Sequence, residues 1–551
     1  MELLNFIIIY SILIISILGY GLIFSKKITK YNNFLFSKVS IGIIGIYGIF
    51  ALVFISFLTN LFLPHNNIHN MVVICIGLIS FIFLYSKNKK IIKINFFLLA
   101  YLLSFFLILH FKSHDDFSYY HLSFIKNINL NKIEFGLGHF DVAFNHVSSL
   151  FYFHSLFATK FTNDFYYFLA QASIVVFINT ILFEKIYKNS KLNISFFLSV
   201  FCLIFINIFF YRIAEHGTDR SAQILFFLAF IFVVDILENK KFSNQIFETL
   251  IIILTLIVTI KSFYIMYSLI LFLLYFKYYK LKEFFYFINK FSVVYLCLLS
   301  IIFLIIYNVS HSGCFLYPVS STCMSEFFWG YSKERVSDYM EWYELWSKAG
   351  ATPNMIVPNN KEYLSGFNWI NNWVQYYFFN KFSDFFLGVI LTVIICCSIF
   401  KIKNFSLKGF NIFRSFYFIL ILLLLEWFIN HPALRYGGYV LVFLIVVFPF
   451  CLILKNQNYK FNQKKKSLKI ILLLTLFIFI YRSVDRINYE KNAYEYNLVK
   501  SPYYKINNNF YTMQNHKKNF FKDINKCNFS NSLRNIKCKK IYSYNFYYID
   551  K

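Results

Sequence analysis

Charge is scarce in this chain. Only 15% of its 551 residues are Asp, Glu, Lys or Arg, where soluble domains carry about a quarter. That shortfall excludes an ordinary water-soluble globule. Nucleotide and metal signatures are missing too. There is no P-loop, no Walker lysine, no dinucleotide fingerprint and no zinc-ligand spacing, so nucleotide hydrolysis has no support. No internal repeat and no separate soluble catalytic domain can be read. The start lacks the basic flank of a secretory signal, and its apolar run is too long for one. "LNFIIIYSILIISILGYGLIF", Leu4 to Phe24, has no charge and is long enough to span a bilayer core.

What is present is hydrophobic: 58% of the residues, in long blocks. Periodicity and run length predict spans near 3–24, 40–63, 71–85, 94–111, 165–183, 193–211, 221–237, 246–260, 263–276, 291–308, 384–400, 415–430, 437–454 and 468–482. This is an all-α polytopic membrane protein with about fourteen transmembrane helices, a transmembrane domain over 1–482 and a C-terminal tail or small cap over 483–551. Residues 246–276 read either as two short helices around Lys261 or as one long helix with Lys261 buried.

The net charge of +28 does not indicate nucleic acid. Abundant Ile, Lys, Asn, Phe and Tyr suggest a compositional bias, so position matters more than the total. Basic residues cluster in alternate loops: 26–38, 87–93, 185–191, 240–241, 277–290, 401–414 and 455–469. The opposite segment 64–70 has none and 431–436 has only Arg435. The positive-inside rule makes the first set cytoplasmic. Segments 112–164, 309–383 and 483–551 then lie outside. This requires that 146–158, "HVSSLFYFHSLFA" with His146 and His154, be an amphipathic interfacial helix rather than a span.

Cysteines agree with that orientation. Cys314 and Cys323 share one outer loop, and Cys527 and Cys538 share the tail; both pairs are expected to be disulfides in an oxidising space. Four polar stretches fall on the same side. "KSHDDFSYYHLSFIKN" (112–127) holds His114, Asp115, Asp116 and His121. Its carboxylates suit a general base and an anchor for a cation or hydroxyl, although Asp116 would also serve as an N-cap. "RIAEHGTDRSAQ" (212–223) packs Glu215, His216, Asp219 and Arg220 into one turn, where Asp219 has the same capping alternative. "EWFINHPALRYGGY" (426–439) holds Glu426, His431 and Arg435. Arginine suits bidentate phosphate binding, or it snorkels at the interface. "NVSHSGCFLYPVSSTC" (308–323) gives shape through Gly313, Pro318 and the cysteines, with His311 a weaker candidate. Carboxylates, imidazoles and arginines beside lipid suit an amphiphile with an anionic head and an apolar tail.

At these residues the chain resembles the C-type membrane glycosyltransferase superfamily, whose members carry an acidic motif in an early outer loop directly after a membrane helix, here Asp115-Asp116. "DFSYYH…GLGHFDVAFNHVSSLF" (116–151), "SGCFLYP" and "LRYG" are also similar to a group of bacterial membrane proteins allied to it. The likeness extends loosely over 110–450. It implies an inverting transferase in the bacterial cytoplasmic (inner) membrane, acting on the outer side. A polyprenyl-phosphate-linked sugar would be the donor and a lipid-linked or surface glycan the acceptor, with membrane lipids as further partners. Asp116 would be the base and Asp115 its orienter or the ligand of a divalent cation (Mg or Mn). Arg435 and Arg220 would face the leaving phosphate. His114, His121, Glu215, His216, Asp219 and His431 would line the substrate site. Two departures stand out: four of these spans precede the acidic loop where typical members have one, and no folded C-terminal domain is recognisable. An O-antigen-type polymerase or ligase of lipid-linked glycans, and a transporter or flippase of such lipids, remain the alternatives.

Overall fold

A computed structural model of the chain describes residues 2–28, 40–88, 95–109, 116–162, 166, 168–188, 192–210, 217–239, 242–290, 292–324, 326–351, 357, 359–402, 404–457, 461–494 and 536–550. Apolar runs coil into helices because helices bond their own N–H and C=O groups where water is absent. In chain order these are α1 (Glu2–Ile28), α2 (Ile41–Asn60), α3 (Asn67–Asn88), α4 (Asn95–Leu109), α5 (Leu122–Leu130), α6 (Ser149–Ser155), α7 (Leu169–Lys188), α8 (Ile194–Ile208), α9 (Asp219–Asn239) and α10 (Asn244–Ile260). Then come α11 (Leu269–Tyr278), α12 (Phe284–Lys290), α13 (Ser292–Ser312), α14 (Lys333–Lys348), α15 (Asn360–Leu364), α16 (Ile370–Trp373), α17 (Ser383–Phe400), α18 (Arg414–Asn430), α19 (Gly438–Asn456) and α20 (Phe461–Tyr494). Among the described residues, nine helices are long and apolar enough to cross a membrane. Four shorter apolar helices, Asn95–Leu109, Ile194–Ile208, Asn244–Ile260 and Ser262–Tyr278, lie over further segments read as spans.

Helix ends sort into two groups. At one end Lys185 pairs with Asp235, Lys455 with Glu238 at 3.2 Å, and Lys277 Nζ donates to Ile412 O at 2.7 Å. At the other, Asn60 Nδ2 donates to Asn131 O at 3.1 Å, Gly136 N to Ser310 O at 2.7 Å and Trp373 Nε1 to Pro432 O at 2.8 Å. Among the described residues the first end holds Lys185, Lys277 and Lys455, and the second the loops around Asn131, Gly136 and Pro432.

α9 runs through the centre: 94% of its apolar window is buried, against 17% for the peripheral helix Lys465–Tyr489. Asn179 of α7 and Asn207 of α8 exchange two amide bonds of 3.0 Å, a polar tie between helices. Helices α1, α2 and α3 meet through glycine. A Cβ on Gly19 would lie 1.8 Å from Gly77 O, and one on Gly48 1.9 Å from Ile17 O; only a bare backbone fits.

Three expectations change or sharpen. Residues 246–276 are broken: Lys261 is extended (φ −151°, ψ 107°) after α10. The chain then returns, since Tyr278 Oη reaches Ile236 O at 3.2 Å, near the lysine-rich end. Lys261 is therefore the apex of a helical hairpin at the loop-rich end. Residues 146–158 do not form an amphipathic surface helix. Only α6 is α-helical there, and all seven of its residues are buried. Protein partners take up its polar groups: His154 Nε2 meets Gln171 Oε1 at 2.9 Å and Ser155 Oγ meets His65 at 2.6 Å. The tail contributes the exception to an all-α fold, an antiparallel hairpin of β1 (Lys537–Ile541) and β2 (Tyr544–Tyr548). Aromatic-rich β2 has strand propensity, and Phe546 bridges in parallel to Phe135 of the first long loop.

Candidate functional site

Asp116 follows the segment after α4 and stands at the cap position of the turn Phe117–His121, yet its side chain makes no capping bond. Its carboxylate instead accepts from Arg435 Nη2 at 3.3 Å. Arg435 sits in the short turn Leu434–Tyr436 between α18 and α19. Gly437 closes that turn at φ 109°, where a Cβ would also meet Tyr267 Oη at 2.3 Å, so a side chain is excluded twice over. The turn is clamped through its backbone. Arg435 O accepts from Gln223 Nε2 at 2.9 Å, Leu434 N donates to Tyr377 Oη at 2.6 Å, and Trp427 Nε1 donates to Ala433 O at 2.8 Å.

Asp219, in the first turn of central helix α9, receives Arg435 Nε at 2.9 Å on one oxygen and the Lys261 ammonium on the other. Two cations and two carboxylates, drawn from four distant segments, thus form one chain: Asp116, Arg435, Asp219, Lys261. The Asp219 side chain is 12% exposed, against 28% for Asp116 and 35% for Arg435. Asp219 is the buried anchor, and the other two are only partly buried. Aromatic rings wall the network. Trp346 of α14 lies 5.5 Å and Tyr436 5.6 Å from the guanidinium, and Tyr436 is 4.8 Å from the Lys261 ammonium. Such faces attract cations. His146 Nε2 meets Tyr343 Oη of the same helix α14 at 2.6 Å.

The electrostatics follow from burial among charges. Burial alone would lower the Arg435 pKa, but Tyr436, Asp116 and Tyr120 push it up and the net shift is upward. Burial, then Lys261 and Arg435, lower His146 to about 3. Burial and Lys348 and Lys261 lower His431 to about 4, against an upward pull from Glu344. Burial first, then Asp116, raise Tyr120. Both imidazoles are neutral at physiological pH.

Of the residues singled out in the sequence, the fold brings Asp116, Asp219 and Arg435 together. His431 flanks them, 5.8 Å ring to ring from Tyr436. Arg220 is half-buried beside Asp219. His121 is buried against Phe151, 4.9 Å between rings. His311 is buried, with Nδ1 on Phe144 O at 2.7 Å, a packing position. Glu426 accepts from Asn430 of its own helix at 3.2 Å. Cys314 and Cys323 form a disulfide. Cys538 is disulfide-bonded, and Cys527 lies outside the described residues, as do His114, Asp115, Glu215 and His216. Among the described residues no group of three or more His, Cys, Asp or Glu could hold a metal; one oxygen of Asp116 and both oxygens of Asp219 face cationic side chains. Sequence reading missed Lys261, Gln223, Tyr343, Trp346 and Tyr436 as site residues. Lys261 had a usable signal, a lone charge inside a long apolar stretch; the others had none.

Residues 3–442 match the family described as Domain of unknown function (DUF8201). No curated protein and no solved structure matches the chain significantly.

Proposed function

The chain belongs to this family of unknown function, and from its own site we propose a membrane glycosyltransferase that takes sugar from a polyprenyl-phosphate carrier outside the cytoplasmic membrane. All fourteen segments are spans in this reading, and the loop-rich end faces out. The observation that carries it is the meeting of Asp116 and Arg435, 319 residues apart in sequence, beside Lys261 at the apex of a broken hairpin. A carboxylate within reach of solvent and two cations beside lipid match the two needs of such a transfer.

In the reaction the acceptor hydroxyl gives its proton to Asp116 while its oxygen bonds to the sugar's anomeric carbon from the face opposite the leaving group. The bond from that carbon to the phosphate oxygen breaks, and the electron pair leaves on the phosphate. Arg435 and Lys261 stabilise that charge as it grows, the larger part of such catalysis. The acceptor is a lipid-linked or surface glycan. The pair of cations also favours a second reading, a polymerase or ligase of lipid-linked glycans that relies on Arg and His.

Asp116→Asn tests the choice. Since Asp116 makes no capping bond, a loss reports chemistry rather than helix stability. Glycan output should fall by roughly two to four orders of magnitude, with protein level and the Cys314–Cys323 disulfide unchanged. Full output from a double Asp115→Asn, Asp116→Asn variant would sink the carboxylate mechanism and move the second reading ahead.

A further inference from the structure

We infer that one flank of α14 is a saccharide-binding platform, and that it holds the acceptor glycan as a chain of more than one sugar. This rests on the transferase reading and adds the length class of the acceptor to it.

Four aromatic residues of α14 carry it: Tyr339, Trp342, Tyr343 and Trp346. They fall at i, i+3, i+4 and i+7, the spacing of a single helix face. The row borders the buried line of Val336 and Ser347 without joining it. Tyr339, Tyr343 and Trp346 are half-buried, and Trp342 is 48% exposed. It begins at the site already described. Trp346 lies 5.5 Å from the Arg435 guanidinium, and Tyr343 Oη meets His146 Nε2 at 2.6 Å. From there it runs toward the start of α14, where Tyr339 stacks on Tyr331 with 6.3 Å between rings. Tyr339 to Trp346 spans about 10 Å along the helix axis, more than a single sugar ring covers.

An aromatic face is electron-rich and takes the C–H face of a sugar ring while the hydroxyls stay wet. Rings already held by Tyr331, His146 and Arg435 lose little freedom on binding. Charge selects this occupant over a lipid leaflet. α14 carries four carboxylates against three cations, which an anionic leaflet repels and to which sugar hydroxyls donate. Because the row is continuous with Arg435, a chain lying on it is led to the reacting centre.

The test is an array of bacterial surface saccharides, graded in length from single sugars upward and probed with the full-length protein in nanodiscs. Longer chains should be retained and single sugars should not. Trp342→Ala should weaken retention about three- to tenfold, and Tyr339→Ala added to it should weaken it further. Trp342→Phe keeps a ring and should keep most of the binding. No retained saccharide, equal retention of single sugars, or unchanged binding in the double variant would overturn the platform. Chains retained only when joined to polyprenyl diphosphate, spotted on the same array, would overturn the acceptor assignment in favour of the donor. Asp116→Asn separates this inference from the reading beneath it. Glycan output lost in Asp116→Asn, with no length preference on the array, would end the platform and leave the transferase standing. Length-dependent binding with full output from the double Asp115→Asn, Asp116→Asn variant would end the carboxylate mechanism and leave a saccharide-binding surface. Melting temperatures of the α14 variants within a few degrees of wild type show that the folded state is being compared.

Discussion

Asp116 and Asp219 each begin a helical turn, where an acid ordinarily caps. The fold uses both as ion-pair partners of one arginine. Arg435 is the shared element, and its fork matters as much as its charge. Arg435→Lys keeps the charge but a point-like ammonium cannot span Asp219 and Asp116 together. In the proposed transfer, glycan output should fall at least about tenfold, with unfolding temperature shifted by only a few degrees. Neutral His146 and His431 give a pH signature. Their folded pKa values, about 3 and about 4, lie below the usual imidazole value of about 6.5. The unfolded chain therefore binds more protons between those limits, so the stability they contribute is intact above pH ~6.5 and is lost as pH falls toward ~3–4. Thermal unfolding in detergent between pH 7.5 and 5 should show a declining midpoint, and His146→Gln should reduce the slope. A slope unaffected by that substitution would count against a neutral His146.

Elements decide how those residues are presented. The break at Lys261 turns what reads as apolar sequence into a hairpin whose apex delivers a cation to the site. The C-terminal hairpin holds the loop downstream of Asp116. The Glu134 carboxylate accepts from Tyr547 Oη at 2.7 Å, Asn545 Nδ2 at 3.1 Å and Asn127 Nδ2 at 2.9 Å. Glu134→Leu strands these donors, at about 1–3 kcal/mol for each one left buried and unbonded. Residues 536–550 should then become sensitive to protease in folded protein, and Glu134→Gln should largely preserve protection. Gly48 tests the packing of α1 on α2. With a Cβ position 1.9 Å from Ile17 O, Gly48→Val forces the helices apart and should destabilise by about 1–3 kcal/mol or more, seen as early aggregation on heating in detergent.

For the whole molecule the testable property is sidedness. Asp338 of α14 and Lys408 are both exposed, one at each end of the bundle. Single cysteines in a background without accessible native thiols should separate them. Asp338→Cys should react with an impermeant maleimide on intact cells, and Lys408→Cys only after the membrane is opened. The reverse pattern would invert the orientation and remove the site from the outer face.

The sequence alone determined the helical, apolar class and the Cys314–Cys323 pair, because each is written in local signals: uninterrupted apolar runs, and two cysteines nine residues apart. It also pointed to Asp116, Asp219 and Arg435, since charges bordering apolar spans are costly to keep without a use. Tertiary structure decided the rest. Whether Asp116 caps or pairs depends on a side chain 319 residues away. Whether 146–158 lies at a surface depends on what encloses it, and its serines and histidines find partners inside. Lys261, Trp346 and Tyr436 join the site because α10 packs on α9 and Trp346 and Tyr436 lie against the Arg435 guanidinium, contacts that no spacing along the chain records.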